Sequence, residues 1–333
     1  MSEVIGQDRL ISIIASEAKN RHSSSYLINA PKGMGKHLIA SSFAKALMCE
    51  EPGERGACGI CRCCKYFEAN TTPDVVYVEG DSDGKNVKVD DIRNNVVADA
   101  SIRPQFSKTK VYIIDLDYVA EDGQNVLLKS IEEPPQSAVF IMITSSPDKV
   151  LGTVMSRAME LKLEPYTSDA IYEILKASGA GGSREELSDC ISYCASNPGR
   201  AISIASDDTF AKLTEDVRRL ILSVGDRSIS DILTDDVAFL ASCKDRIDLV
   251  FEIMLKTLDA MAMYLKAPDN KTALTAGPDI KEFVLSNKRL STVKIGRCVE
   301  AINNMRRALA VNCNLENNSG VLLLTMHEEL RRI

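Results

Sequence analysis

The sequence predicts an α/β protein in which a parallel sheet is covered by helices on both faces. Short apolar runs such as Lys110–Asp115 alternate with segments of helical periodicity, which is typical of buried parallel strands. A glycine-rich turn at residues 31–35 separates the first strand from a helix, as a phosphate-binding loop does. After about Thr209 we find no convincing strand, so the C-terminal part is predicted to be wholly helical.

The elements follow from local pattern in chain order. The predicted strands are residues 26–30, 74–78, 110–115, 138–144 and 159–163. The helices among them are residues 5–21, 36–49, 87–100 and 124–133, the last of which ends at a Pro-Pro pair. Amphipathic helices are predicted further on over residues 210–223, 244–265, 292–312 and 320–332.

The length of 333 residues favours two or three domains. We place an α/β domain with a cysteine-rich module (49–64) at residues 1–165. A small helical domain follows at 166–206, where Gly179–Gly182 and Asn197-Pro198-Gly199 interrupt short helices. An all-helical domain occupies 207–333.

Composition excludes several classes of protein. With 45% apolar and 26% charged residues the chain can bury a core, and no apolar run approaches the roughly 18–20 residues of a membrane span. We therefore expect a soluble, cytoplasmic protein without membrane contact. A net charge of -7 argues against nucleic acid binding over the whole surface, and 5% aromatic residues without Trp argue against a base-stacking platform.

The phosphate-loop motif is degenerate. Residues 30–37 read APKGMGKH, so the last glycine and Lys36 are present. The first glycine of the usual pattern is Ala30, and the hydroxyl that would hold magnesium is replaced by His37, a poor ligand for a hard cation. The alternatives are a glycine-rich turn that binds nothing and residual phosphate binding by Lys36.

The end of the third strand is altered as well. Asp115 stands where a magnesium-coordinating carboxylate is expected, but the next residue, where many such ATPases carry glutamate, is Leu116. Asp117 lies two residues on and would share a side with Asp115 in an extended strand, or else be a solvated loop carboxylate. Both elements needed for ATP hydrolysis are therefore changed.

The cysteines give the strongest local signal. Cys49, Cys58, Cys61 and Cys64 have the spacing C-x8-C-x2-C-x2-C, which suits a closed, structural four-thiolate Zn²⁺ site. The three-residue spacing of the last three would let one helical turn point them inward. Cys63 is an alternative fourth ligand, and free thiols without metal are the other interpretation.

The order of these parts resembles the AAA+ clamp-loader subunits of bacterial DNA polymerase III, and among them the delta-prime type. The resemblance rests on the degenerate loop, the cysteine insertion after its helix, Ile113-Ile114-Asp115, residues 125–135 (NVLLKSIEEPP) and Ser156-Arg157. It covers about the first 165 residues well. Asn197-Pro198-Gly199-Arg200 resembles the lid segment, and the remaining helices fit a collar domain by length and class alone.

The resemblance implies a subunit without useful ATPase activity, within the DNA polymerase III holoenzyme, a DNA-directed DNA polymerase. It implies a hetero-pentameric ring with gamma/tau and delta subunits, in which Arg157 acts in trans, as an arginine finger, on ATP bound by a neighbour. The ring then loads a sliding clamp onto primer-template DNA. The family motif is Ser-Arg-Cys, whereas this chain has Ala158, which leaves the guanidinium in place.

Three other interpretations remain. The first is an active gamma/tau-type ATPase, which requires a hydroxyl at position 37 and a carboxylate at position 116. The second is a zinc-finger nucleic-acid binder, for which the cysteine module carries too balanced a charge, with Arg55, Arg62 and Lys65 beside several glutamates. The third is a redox protein that uses Cys61-Arg62-Cys63-Cys64.

Overall fold

The computed structural model describes residues 4–81, 84–184, 186–267, 278–310 and 313–332. Contacts divide the chain into two compact units, Met1–Ser206 and Asp207–Ile333. The separate small helical domain at 166–206 stays a prediction, as does a single all-helical domain at 207–333.

The first unit is built on a five-stranded sheet in the order β2-β3-β4-β1-β5. Its strands are β1 (Ser25–Asn29), β2 (Val75–Val78), β3 (Lys110–Asp115), β4 (Ala138–Thr144) and β5 (Met159–Lys162). Every neighbouring pair is parallel, and β1 lies between β4 and β5. The predicted α/β class and all five predicted strands are confirmed. The carboxyl ends of β1, β3 and β4 therefore meet at one edge, where α/β proteins place their ligands.

Nine helices are described in this unit. They are α1 (Asp8–Lys19), α2 (Lys36–Met48), α3 (Arg62–Glu68), α4 (Val89–Ile92), α5 (Glu121–Glu132), α6 (Gly152–Met155), α7 (Ser168–Ala177), α8 (Ser188–Tyr193) and α9 (Pro198–Ala205). The predicted single helix at 87–100 is in fact α4, a π-helical stretch Arg93–Ala98 and a 3₁₀ turn Asp99–Ser101. Sequence periodicity does not distinguish these helix types over so few residues.

Apolar layers cover both faces of the sheet. Along β3, Val111 and Ile113 pack into the layer that contains Phe43 of α2, whereas Tyr112 and Ile114 pack into the opposite layer with Leu127 of α5. All of these side chains are at most 1% exposed. The continuous apolar sequence of β3 follows from burial on both faces, since the residues that face either layer must be apolar.

All regular secondary structure in the described residues of the second unit is helical. Its helices are α10 (Phe210–Val224), α11 (Ile229–Asp231), α12 (Val237–Ser242), α13 (Ile247–Lys266), α14 (Pro278–Ser286), α15 (Thr292–Ala310) and α16 (Leu315–Leu330). A π-helical stretch, Ile232–Asp236, joins α11 to α12. The sequence analysis missed α11, α12 and α14.

Helix α16 begins at Leu315, before the predicted start at residue 320. Its first turn holds polar Asn317 and Asn318, which resemble a loop in sequence. Asn314 caps the helix by accepting a hydrogen bond from the Asn317 amide at 3.0 Å. Among the described residues, no helix has the combined length and apolar character that crossing a membrane requires.

Candidate nucleotide site, cysteine centre and exposed arginine

The glycine-rich turn joins β1 to α2 at the ligand edge of the sheet. Gly33 and Gly35 have φ values of +87° and +83°, a region that favours glycine. Gly35 is the N-cap of α2, and Lys36 is its first residue. The strand, glycine turn and helix of a phosphate loop are thus all present.

Lys36 is turned back onto its own loop. Its Nζ donates to the carbonyl of Ala30 at 2.8 Å and to that of Pro31 at 3.3 Å, and the residue is only 5% exposed. Burial lowers the pKa of Lys36, although the carboxylates of Asp117 and Asp115 oppose the change. The ammonium group that would contact a terminal phosphate is therefore satisfied by main-chain oxygens.

His37 contacts the carboxylate at the end of β3. Its Nε2 lies 3.1 Å from Oδ2 of Asp115, whose side chain is 4% exposed. The hydrogen bond to Asp115 raises the pKa of His37, against an opposing effect of burial. The side chains at the two positions where a phosphate-loop ATPase holds magnesium are thus hydrogen-bonded to each other.

Asp117 does not lie in an extended strand, as the prediction of a shared side assumed, because β3 ends at Asp115 and residues 116–118 form a 3₁₀ turn. Nor is it a solvated loop carboxylate. It accepts hydrogen bonds from Thr144 Oγ1 at 2.8 Å and from the amide and hydroxyl of Ser145. Burial raises the pKa of Asp117, but these hydrogen bonds outweigh it and the net pKa is lowered.

Leu116 points into the core beneath the sheet edge. The residue is 2% exposed and packs in the same apolar layer as Ile114 and Val119. No carboxylate occupies this position to polarise a water molecule. The nearby carboxylate of Asp117 is hydrogen-bonded to Thr144, the last residue of β4, and to Ser145.

The segment before α9 packs directly on the phosphate loop. Asn197 Nδ2 donates to the carbonyl of Lys32 at 2.8 Å, and the Gly199 amide donates to the carbonyl of Gly33 at 2.9 Å. A Cβ at Gly33 would lie 2.6 Å from Asn197 Oδ1, so a side chain there would displace Asn197 and would be strained at a φ of +87°. The sequence analysis noticed residues 197–200 but did not predict this contact.

A cavity of about 360 Å³ lies beside this contact. Ala30 and Pro31 line one side, Leu163 and Pro165 another, and Arg200 lies at the α9 side. Its lining is mainly apolar near the loop.

The four predicted cysteines come together. Ligand atoms of Cys49, Cys58, Cys61 and Cys64 all lie within 4.8 Å of one another. The Sγ atoms of Cys49 and Cys61 are 3.9 Å apart, close to the roughly 3.8 Å expected between two sulfurs of a tetrahedral site with bonds of about 2.3 Å. This donor set fits a closed four-thiolate metal centre.

Main-chain amides approach the sulfurs in a repeated pattern. The amides of Cys58, Cys61 and Cys64 donate to the Sγ of Cys49, Cys58 and Cys61 at 3.3, 3.4 and 3.4 Å. Such donors stabilise thiolate charge, which metal binding requires. The amides of Ile60 and Cys61 lower the pKa of Cys58 to about 7.

Cys63 is not part of this cluster. Its Sγ lies 3.3 Å from the carbonyl oxygen of Phe106, and burial raises the pKa of its thiol. Helix α3 begins at Arg62, so only Cys64 of the four clustered cysteines lies in a helix, and the expected single helical turn is wrong. Turns with positive φ at Gly56 and Gly59 place Cys58 and Cys61 instead.

Arg157 lies on an exposed turn between α6 and β5. Its Nε is 2.7 Å from Oε1 of Glu132, and the two side chains are 38% and 45% exposed. The large apolar residues Met155 and Met159 flank it and are 42% and 39% exposed. Exposed methionines around an arginine are typical of a protein-binding surface.

Comparison with known proteins agrees with this geometry. The family described as "DNA polymerase III, delta subunit" matches residues 6–167. The match covers just under half of this chain. Sequence relatives include the tau subunit of Bacillus subtilis DNA polymerase III, 29% identical over 80% of this chain and 50% of that protein. They also include the delta′ subunit of Pseudomonas aeruginosa, 28% identical over 60% of this chain and 62% of that protein.

Among solved structures, a gamma subunit-related DNA polymerase III protein from Thermotoga maritima has 17% identity and a TM-score of 0.46. The structural match covers 97% of this chain and 100% of the Thermotoga maritima chain. The chain spans about half to three fifths of the tau and delta′ relatives named above. The predicted resemblance to subunits of bacterial DNA polymerase III is confirmed, and the relatives carry both delta′ and tau/gamma names.

Proposed function

We propose that this chain is a delta-prime-type clamp-loader subunit that does not hydrolyse ATP and supplies Arg157 in trans to ATP held by a neighbour. The observation that carries the proposal is the 3.1 Å contact between His37 and Asp115. A chain that uses its magnesium position for an internal hydrogen bond has no evident means to hold Mg²⁺-ATP for hydrolysis.

Two further features support the loss of hydrolysis. Lys36 is bound by the carbonyls of Ala30 and Pro31, so phosphate binding must first break these contacts. Buried Leu116 stands where a catalytic carboxylate would be, and replacing it would place a charge in the core. The tau-type alternative is favoured by the 29% identity to Bacillus subtilis tau, but it needs working groups at both positions.

Arg157 retains what a trans-acting arginine needs. Its guanidinium lies on an exposed turn beside Met155 and Met159. Next to a transferring phosphoryl group it would offset developing negative charge, an effect worth about 10³- to 10⁵-fold in kcat. The partners in this proposal are gamma/tau and delta subunits in a five-membered ring, which loads a sliding clamp onto primed DNA.

We also propose that Cys49, Cys58, Cys61 and Cys64 hold structural zinc. Four thiolates leave no open position on the metal, so the ion would fold the module rather than catalyse a reaction. Zinc in this position would close a loop of residues 49–64 against the end of α2.

The test is a reconstituted ring. Arg157→Ala should leave the subunit folded and assembled but lower ATP turnover in the presence of clamp and primed DNA. Arg93→Ala is the matched control, since Arg93 is also an exposed arginine paired with a carboxylate, that of Asp90 at 2.9 Å. Normal turnover by the Arg157 variant would overturn the trans role, and robust hydrolysis by the isolated chain would favour the tau-type alternative.

A further inference from the structure

We infer that Glu132 is a positioning residue that holds Arg157 in the orientation in which it meets a neighbour's ATP. The inference rests on the trans role proposed above. Oε1 of Glu132 lies 2.7 Å from Nε of Arg157, so the two side chains form a close ion pair. Glu132 is the last residue of α5, and Arg157 follows α6, so the pair joins two separate elements.

Two of the three guanidinium nitrogens have a partner within the chain. Besides the Nε contact, Nη1 donates to the Thr153 carbonyl at 3.0 Å and to Ser156 Oγ at 3.3 Å. No hydrogen bond of Nη2 is found among the residues that the structure describes. The chain therefore orients the inner edge of the group and leaves an outer nitrogen for a partner.

The position of Glu132 argues for this use of its carboxylate. A negative charge at the C-terminus of a helix is unfavourable, because the helix dipole places partial negative charge there. An ion pair this exposed adds little to the stability of the fold. Orienting Arg157 before the subunits meet, by contrast, reduces the conformational entropy that binding would cost.

The experiment measures kcat and KM for ATP in the reconstituted ring with clamp and primed DNA. Glu132→Ala should lower kcat about 3- to 10-fold with little change in KM, because a misoriented guanidinium mainly affects the transition state. Glu132→Asp should recover part of this loss, since its carboxylate keeps the negative charge that pairs with Arg157. Glu133→Gln, at the neighbouring exposed carboxylate, should behave as wild type. Circular dichroism and co-elution with the ring establish that each variant folds and assembles.

A double variant separates positioning from any other role. In an Arg157→Ala ring, adding Glu132→Ala should change nothing further, because the group that Glu132 orients is gone. If Arg157→Ala lowers kcat while Glu132→Ala does not, positioning is refuted and the trans role stands. A rise in kcat, or an equal loss with and without Arg157, would also refute positioning. If Arg157→Ala itself has no effect, the proposed function fails.

Discussion

Nε2 of His37 lies 3.1 Å from Oδ2 of Asp115, so the two magnesium positions of a phosphate-loop ATPase are joined to each other in this chain. The hydrogen bond between these two side chains thus lies where a phosphate-loop ATPase would bind Mg²⁺. Lys36, which is bound to the carbonyl of Ala30 at 2.8 Å, completes a loop whose polar groups are satisfied internally.

Replacing His37 by threonine should restore magnesium-dependent nucleotide binding without restoring hydrolysis. The hydroxyl would return the missing ligand and free Asp115, whereas Leu116 would still provide no group to polarise water. Calorimetric titration with ADP, with and without Mg²⁺, measures the gain, and the double variant with Lys36→Ala is its control. Unchanged, magnesium-independent behaviour would contradict the role assigned to His37.

The His37–Asp115 contact should stabilise the fold at low pH more than at high pH. The folded-state pKa of His37 is raised, chiefly by the hydrogen bond to Asp115. Glu79 adds to this effect, and Lys36 opposes it. The contribution is therefore complete below the unfolded pKa of about 6.5 and is lost as pH rises through the raised value.

The effect is expected to be below about 1 kcal/mol, because 57% of the His37 side chain is exposed. Urea unfolding of wild type and His37→Gln at pH 6 and pH 8.5 measures it, with the larger difference at pH 6. An equal difference at both values would mean that the contact contributes nothing through protonation.

Asp74 should be essential for the stability of the sheet edge beside the cysteine module. The residue is 1% exposed. Its carboxylate accepts hydrogen bonds from three main-chain amides, those of Gln105 at 2.7 Å, Phe106 at 2.7 Å and Ser107 at 2.8 Å. Asp74→Ala leaves these donors unpaired and should lower the free energy of unfolding by about 3 kcal/mol or more.

Denaturant unfolding measures this change against Asp148→Ala, an exposed aspartate of the same unit, which should cost less than about 0.5 kcal/mol. If the two variants have the same stability, the three amides must find other partners, and the role of Asp74 is smaller than its geometry indicates.

Sequence reasoning located the sheet and identified the four cysteines that cluster, because these features have short-range signatures. Apolar runs buried on both faces define β3 and β4, and the repeated C-x2-C spacing brings Cys58, Cys61 and Cys64 into reach of Cys49. The same signatures carry the resemblance to DNA polymerase III subunits, which matches residues 6–167.

What the sequence did not predict depends on contacts between distant residues. The Asn197 contact on the phosphate loop spans 165 positions, and no local pattern encodes it. Glu132 and Arg157 are likewise brought together by the packing of α5 against α6. Helices α11 and α12 were missed since a π-helical stretch between them shifts the apolar period.

The purified chain should contain about one zinc ion, and the metal should order the module locally rather than hold the whole unit together. Cys61→Ser should abolish binding, because it removes a sulfur that also lies 3.9 Å from Cys49. Cys63→Ala is the matched control, as its thiol faces the carbonyl of Phe106 and should leave zinc content unchanged.

Removing the metal with a chelator should increase amide hydrogen exchange in residues 49–64 while β3 stays protected. The strand is buried on both faces by apolar layers that contain no cysteine ligand, so its stability has a separate source. Metal analysis by mass spectrometry and exchange of the two regions measure both parts. A metal-free native protein would remove the zinc proposal, and loss of protection in β3 would show that the ion supports the sheet as well.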